Sequence, residues 1–198
     1  MKTFTLEWNA VITLESEGRK GCTELRELIS LHGDKINLGI VSTAASENNL
    51  ERELPKTATE FEKRLKEVGI GHLPKVLTVA VWGLTYFEYS LWAGDEYTLV
   101  TNKLWEIVKP VSVSSNSAEF AKKSNIPANT PITSPEYFKW RNKWCDVNSL
   151  YAHILAKRDV FVSGDVKNFR GEKHDKLMEL GVGQICSYEE ALALAQSL

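Results

Sequence analysis

The chain has 198 residues, of which 43% are hydrophobic and 25% charged, so it can bury a substantial core and is most simply one soluble globular domain. Its formal net charge of -2 argues against binding nucleic acid through bulk positive charge. Glu7 and Asn9 interrupt the N-terminal stretch where a signal peptide needs apolar residues, and no run approaches membrane-spanning length, which together predict a cytoplasmic protein.

The first 70 residues alternate between strand and helix signals. The sequence predicts a strand over Thr3–Leu6, a helix capped by Asn9, and a second strand over Ile36–Val41. A helix carrying Glu47 is expected after that strand, and Thr57 with Glu60 forms a capping box for the next helix. Such alternation is typical of a parallel sheet covered by helices.

The middle of the chain is harder to interpret. Val76–Val81 is apolar and β-branched, which favours a strand, and Leu99–Val108 is typical of a helix that ends before Pro110. Residues 111–133 are rich in Ser, Asn and Pro, which indicates an irregular surface segment. We therefore predict one domain over residues 1–198, in which 70–133 is a helical or irregular insertion.

The last third returns to clear signals. Ser134 followed by Pro135 predicts the start of a helix, or a helix pair, that runs to Lys157. Val160–Val162 fits a strand buried on both faces, Gly183–Cys186 fits an edge strand, and Ser187 with Glu190 forms a capping box before the last helix. The predicted fold class is α/β, a three-layer sandwich with a mainly parallel central sheet.

Four acidic residues are predicted at or beside the carboxyl ends of strands, where open α/β sheets bind their ligands. They are Glu7, Glu47, Asp146 and Asp165. Carboxylates packed together stay ionised when a cation neutralises them, so the set predicts a divalent metal site. Other interpretations remain open: Glu47 as an exposed helix acid, Asp146 as a cap after a helix break at 143–145, Asp165 as turn chemistry, and His153 as a hydrogen-bonded core residue.

The surroundings of these acids resemble those of PIN-domain ribonucleases. The matching patterns are L-E-W-N at 6–9, A-A-S-E-N at 44–48, C-D-V-N-S-L-Y-A-H at 145–153 and R-D-V-F-V-S-G-D at 158–165. The resemblance implies a PIN-like fold and a metal-dependent endoribonuclease that hydrolyses RNA phosphodiester bonds. It implies that Glu7, Glu47, Asp146 and Asp165 are catalytic and hold Mg2+ or Mn2+, supported by Asn9 and Ser163. It also implies a homo-oligomer and a toxin-antitoxin setting with an antitoxin protein as partner.

One position departs from the family, whose first acid is usually Asp. Glu7 is longer by one methylene, roughly one bond length, which is enough to change direct coordination of Mg2+ into a water-bridged contact. The alternative function is therefore a catalytically weakened PIN-like protein with a binding or regulatory role. A receiver-like phosphotransfer domain is disfavoured because the sequence offers no Lys on a later strand.

Positive charge concentrates near the predicted site. Residues 135–176 contain nine Lys or Arg and six Asp or Glu, and the set that can contact RNA phosphates or form a solvated face is Lys157, Arg158, Lys167 and Arg170. Trp82, Trp92 and Trp105 are predicted in the core, while Trp140 and Trp144 can be both core and base-stacking residues. Cys22, Cys145 and Cys186 are widely spaced, which predicts buried free thiols and no zinc site.

Overall fold

A computed structural model describes residues 1–16, 18–43, 55, 57–108 and 113–198. The strands within these ranges are β1 (Lys2–Leu6), β2 (Ile36–Val41), β3 (Lys75–Val76), β4 (Thr78–Val79), β5 (Ser90–Leu91), β6 (Val160–Val162) and β7 (Gln184–Cys186). The helices are α1 (Asn9–Glu15), α2 (Cys22–Ser30), α3 (Ala58–Glu67), α4 (Tyr97–Val108), α5 (Ser117–Lys123), α6 (Phe138–Leu155), α7 (Glu172–Glu179) and α8 (Tyr188–Gln196).

Five strands form one sheet in the order β3-β2-β1-β6-β7, and every pair in it is parallel. The register aligns Leu6 of β1 with Ile40 of β2 on one side and with Val162 of β6 on the other. The predicted α/β class with a parallel sheet flanked by helices is therefore confirmed. The predicted strands over Ile36–Val41 and Val160–Val162 have the predicted bounds.

Two hydrophobic clusters cover the two faces of this sheet. Val160 and Val162 belong to the cluster that includes α1, α2, α3 and α8, whereas Phe161 between them belongs to the cluster that includes α4, α6 and α7. Because successive strand residues point to opposite faces, the helices form two outer layers around the central sheet. Within the described residues, none of the helices combines the length and hydrophobicity needed to cross a bilayer.

The middle segment differs from its prediction in two respects. The apolar run at 76–81 is divided between β3, at the edge of the large sheet, and β4, which pairs with β5 in a separate two-stranded sheet. The segment 111–133 contains α5, whose Phe120 and Ala121 are buried, so its described part is less irregular than expected. Asn116 caps this helix by accepting hydrogen bonds from the backbone N–H groups of Ala118 and Glu119, a local signal visible in the sequence.

The tryptophans divide between core and surface. Trp105, Trp140 and Trp144 are buried, but Trp82 and Trp92 are 87% and 85% exposed, so the prediction that these two belong to the core is wrong. They flank the exposed Phe87, at ring-centroid distances of 6.2 and 6.5 Å.

His153 of α6 is fully buried, as the interpretation as a core histidine expected. Its Nε2 donates to the Val182 carbonyl at 2.6 Å, since a carbonyl only accepts, and Nδ1 therefore accepts from the Thr5 hydroxyl at 2.8 Å. Burial lowers the pKa of His153 to about 4. This pair of hydrogen bonds joins α6 to β1 and to Val182, two residues before β7.

The low pKa of His153 leads to a prediction about stability in acid. Because the unfolded chain binds a proton on His153 near pH 6.5 and the folded chain only near pH 4, stability present above pH 6.5 is lost as the pH falls towards 4. We expect wild type to lose roughly 2 kcal/mol more than His153→Gln between pH 7 and pH 4.5, measured by urea unfolding. Equal losses in the two proteins would contradict this role.

Candidate functional site

The order of strands in the sheet changes direction between β1 and β6. From β1 it continues to β2 and β3 on one side, whereas β6 and β7 lie on the other side. In parallel sheets of this kind ligands bind outside the carboxyl ends of the strands at such a switch point. Glu7 directly follows β1, and its backbone N–H donates to the Val162 carbonyl at 3.3 Å, which brings Glu7 beside Ser163 at the end of β6.

Glu7 is 5% exposed and its carboxylate is held by two side chains. Asn9, the first residue of α1, donates its Nδ2 at 2.8 Å, and the Ser163 hydroxyl also donates to Oε1. Ser163 in turn accepts from the backbone N–H of Asp165 at 3.0 Å. The predicted supporting residues Asn9 and Ser163 therefore both contact Glu7, and the turn that carries Asp165 is tied to them.

The pKa of Glu7 is raised to about 7, mainly by burial and also by the neighbouring carboxylates of Asp146 and Asp165, against the hydrogen bonds from Ser163 and Asn9, which lower it. The Glu7 carboxyl therefore changes charge close to neutral pH. A carboxyl group with such a pKa can accept a proton from water and return it, as general acid-base chemistry requires.

Asp146 lies in the middle of α6, which runs without interruption from Phe138 to Leu155. The alternative interpretation, that Asp146 caps a helix after a break at 143–145, is therefore wrong. Its Oδ2 is 2.6 Å from the Nζ of Lys143, one turn earlier. Burial raises the pKa of Asp146, whereas the ammonium of Lys143 lowers it.

One small cavity connects these groups. It has a volume of about 220 Å3 and is lined by Glu7, Asp146 and Asp165 together with Asn9, Asn142, Lys143 and Phe169. Three of the four predicted acids, from three different elements, thus face the same space. The fourth, Glu47, lies outside the described residues. The helix that carries Asp146 is held at this edge by a hydrogen bond of 2.6 Å between Ser149 and Thr43, which follows β2.

The donor chemistry of this cavity suits a hard divalent cation. Carboxylate and amide oxygens are the ligands that Mg2+ and Mn2+ prefer, and the described residues that line the cavity include no thiol or imidazole. Within the described residues, however, no three Asp, Glu, His or Cys side chains lie close enough to hold one ion together. The ammonium of Lys143 forms an ion pair with Asp146 instead, so a cation would have to displace this ammonium. The metal site therefore stays a prediction.

The predicted RNA-contacting residues divide between two edges of the sheet. Lys157 and Arg158 precede β6 and lie at the amino edge, away from the cavity; the guanidinium of Arg158 donates to the carbonyls of Phe4 and Asn37 at 2.7 and 2.6 Å. Lys167 and Arg170 follow β6 on the cavity side, and Arg170 pairs with Glu190 at 2.5 Å. Arg158 therefore has a structural role, whereas Lys167 lies near the cavity, where it can contact RNA.

Sequence reasoning missed Asn142 and Lys143, which precede Asp146 by four and three residues on α6. Helical spacing of that kind places side chains on one face, so a continuous helix through 138–155 would have indicated both. Trp140 and Trp144 are buried, which removes them as base-stacking surfaces.

No protein-family model matches this sequence, and no curated protein matches it significantly.

Proposed function

We propose that this chain is a metal-dependent endoribonuclease of PIN-like type, which hydrolyses RNA phosphodiester bonds with Mg2+ or Mn2+. The observation that supports it most directly is the cavity at the switch point, which is lined by carboxylates from the residue after β1, from α6 and from the turn after β6. Like charges are costly to hold together, and an ordinary structural role does not require three of them around one cavity.

Glu7, Asp146 and Asp165 would hold the cation only after moving closer together than they lie in this structure and after the ammonium of Lys143 leaves Asp146. Glu47 is the predicted fourth ligand. A divalent ion bound there would polarise a phosphoryl oxygen and lower the pKa of a bound water. The residues of the chain supply the rest. Ser163 and Asn9 keep the Glu7 carboxylate oriented by donating hydrogen bonds to Oε1. Burial raises the pKa of Glu7 to about 7 in the metal-free chain, and a bound cation would hold this carboxylate in its charged form.

A direct test is the cleavage of a synthetic single-stranded RNA by the purified chain with Mn2+, with Mg2+ and with EDTA. We expect internal fragments that accumulate with either metal and disappear with EDTA. Fragments of equal yield in EDTA would contradict a metal-dependent reaction, and an intact RNA under all three conditions would contradict the enzyme.

A second candidate function is that of a PIN-like binding or regulatory protein with weakened chemistry. The ion pair between Lys143 and Asp146 favours it, because the ammonium already neutralises one of the three carboxylates. The longer side chain of Glu7, where the family usually has Asp, favours it as well. The two candidates differ in whether the cavity binds a divalent ion.

The variant Lys143→Gln distinguishes the ribonuclease from the binding protein by its affinity for Mn2+. If the ammonium competes with the metal for Asp146, this variant should bind Mn2+ about threefold to tenfold more tightly than wild type, by isothermal titration calorimetry, since a nearby opposite charge is removed. Lys139→Gln is the matched control, because Lys139 is exposed one turn earlier on α6 and does not line the cavity. Absence of Mn2+ binding in both wild type and Lys143→Gln would favour the binding protein.

A further inference from the structure

A second cavity adjoins the acidic one. It has a volume of about 490 Å3 and shares Asn9, Ser163 and Asp165 with the immediate surroundings of Glu7. Its remaining walls come from the loop before α2, the turn after β6 and the start of α8. A ligand that extends out of the acidic cavity past Asp165 would therefore enter this space.

The side chain of Tyr188 lies at the wall of this cavity and is 4% exposed. Its hydroxyl has no hydrogen-bond partner among the described residues; Thr13 is near enough to affect its pKa, but the pair does not reach hydrogen-bond geometry. A buried hydroxyl without a partner is costly and uncommon in folded proteins. Burial raises the pKa of Tyr188, so the hydroxyl keeps its proton, and a small shift of the ring would let it donate to a ligand in the cavity.

Two glycines leave the space that the Tyr188 ring occupies. A Cβ atom at Gly164 would lie 2.9 Å from the Tyr188 hydroxyl oxygen, and one at Gly21 would lie 2.7 Å from ring atom Cδ2. Gly21 also has a φ of +85°, which L side chains rarely adopt. Because any larger residue at either position would displace the ring, the unpartnered hydroxyl is kept beside the end of β6.

Positive charge surrounds the same cavity. Arg19, Lys20 and Lys167 line it and are exposed, against two acids, Asp165 and Glu189. Glu189 is 3.8 Å from Lys20, which leaves Arg19 and Lys167 to define the charge beside Tyr188. In addition, α2 begins at Cys22 without a side-chain cap, so the positive end of its dipole lies at this wall. The arrangement fits an anion with oxygen acceptors.

We propose that this second cavity binds the phosphate of the nucleotide next to the bond cleaved in the acidic cavity, with Tyr188 as hydrogen-bond donor and Arg19 and Lys167 as counter-charges. The assignment rests on the proposed ribonuclease function, since it takes the ligand to be single-stranded RNA. It implies that the substrate spans at least two phosphates, one at each cavity.

Binding is tested in EDTA, where no metal chemistry occurs, with a fluorescent 2′-O-methyl RNA decamer as probe and anisotropy as readout over a series of KCl concentrations. Arg19→Gln and Lys167→Gln should each weaken binding about fivefold and reduce the slope of log K against log salt by about 0.7, because each contributes one phosphate contact on a single strand. Lys122→Gln is the control: this exposed lysine of α5 lines neither cavity, and we expect wild-type affinity.

Tyr188→Phe should weaken binding about threefold to fivefold with an unchanged salt slope, because it removes a neutral donor. Its Tm should equal or exceed that of wild type, since the lost hydroxyl has no partner in the folded chain. A structural hydroxyl would instead lower the Tm and leave affinity unchanged, and that result would overturn the role of Tyr188.

The outcomes for the subsite and for the ribonuclease are separable. Wild-type affinity in Arg19→Gln, Lys167→Gln and Tyr188→Phe would overturn the subsite, even if wild type cleaves RNA with Mn2+. Equal weakening in Lys122→Gln would also overturn it, as that indicates diffuse charge. Site-specific weakening of binding in a chain that does not cleave RNA would support the subsite and contradict the ribonuclease.

Discussion

Replacing Asp146 or Asp165 by Asn should lower Mn2+-dependent RNA cleavage by about 100-fold or more. Each substitution removes one anionic oxygen donor from the acidic cavity while it keeps the size of the side chain. The stabilisation of transition-state charge by a bound metal is worth several kcal/mol, and about 2.7 kcal/mol corresponds to a factor of 100. The measurement is the initial rate of cleavage of a labelled single-stranded RNA at saturating Mn2+.

The matched control for these variants is Asp34→Asn. Asp34 is exposed and precedes β2, at the edge of the sheet opposite to the cavity, so its substitution should leave the rate unchanged. Thermal unfolding should accompany each rate, because Asn at position 146 leaves Lys143 without its partner. If folded Asp146→Asn and Asp165→Asn proteins cleave RNA at the wild-type rate, these two carboxylates take no part in the cleavage reaction.

Glu7→Gln should stabilise the metal-free chain at pH 8 by roughly 3 kcal/mol relative to wild type and have little effect at pH 4. The folded-state pKa of Glu7 is raised from 4.5 to about 7, so the folded chain prefers the neutral carboxyl. The associated stability is fully present below pH 4.5 and is lost as the pH rises through 7. Gln removes this titration and keeps an oxygen that can accept from Asn9 and Ser163.

Urea unfolding in EDTA at pH 4 and pH 8 measures this difference. The exposed Glu179 of α7 provides the control, and Glu179→Gln should follow the wild-type pH profile. A Glu7→Gln protein that is less stable than wild type at pH 8 would mean that the fold stabilises the charged carboxylate. Addition of Mn2+ should then stabilise wild type and not Glu7→Gln if Glu7 is a ligand, because only a ligand-bound folded state gains stability.

Several elements could be predicted from the sequence because their determinants are local. The capping box of Ser187 and Glu190 is present as predicted, with both reciprocal hydrogen bonds, and Thr57 caps α3 by accepting from the backbone of Glu60. The strand over 160–162 could be recognised because a continuous β-branched and aromatic run suits burial on both faces of a parallel sheet, and the strand over 36–41 has four apolar residues of six. The buried free state of the three cysteines also followed from their spacing.

The middle of the chain was less predictable because its apolar residues carry no clear period. The run at 76–81 has the composition of one strand, but it is divided between two sheets, which depends on where β2 and β5 lie. Trp82 and Trp92 are hydrophobic by type, yet their exposure depends on the short elements around them. Burial is a property of neighbours that are distant in the chain, and composition alone does not contain it.

The sequence by itself determined which acids follow which strands, because strand ends and turns are set by neighbouring residues such as the glycine at 164. Tertiary structure alone decided that Glu7 lies beside Ser163, 156 residues later, and that Tyr188 reaches the turn at Gly164. The reason is that pairing of β1 with β6 and packing of α6 and α8 on the sheet bring these groups together, and such contacts depend on the whole fold rather than on any local pattern.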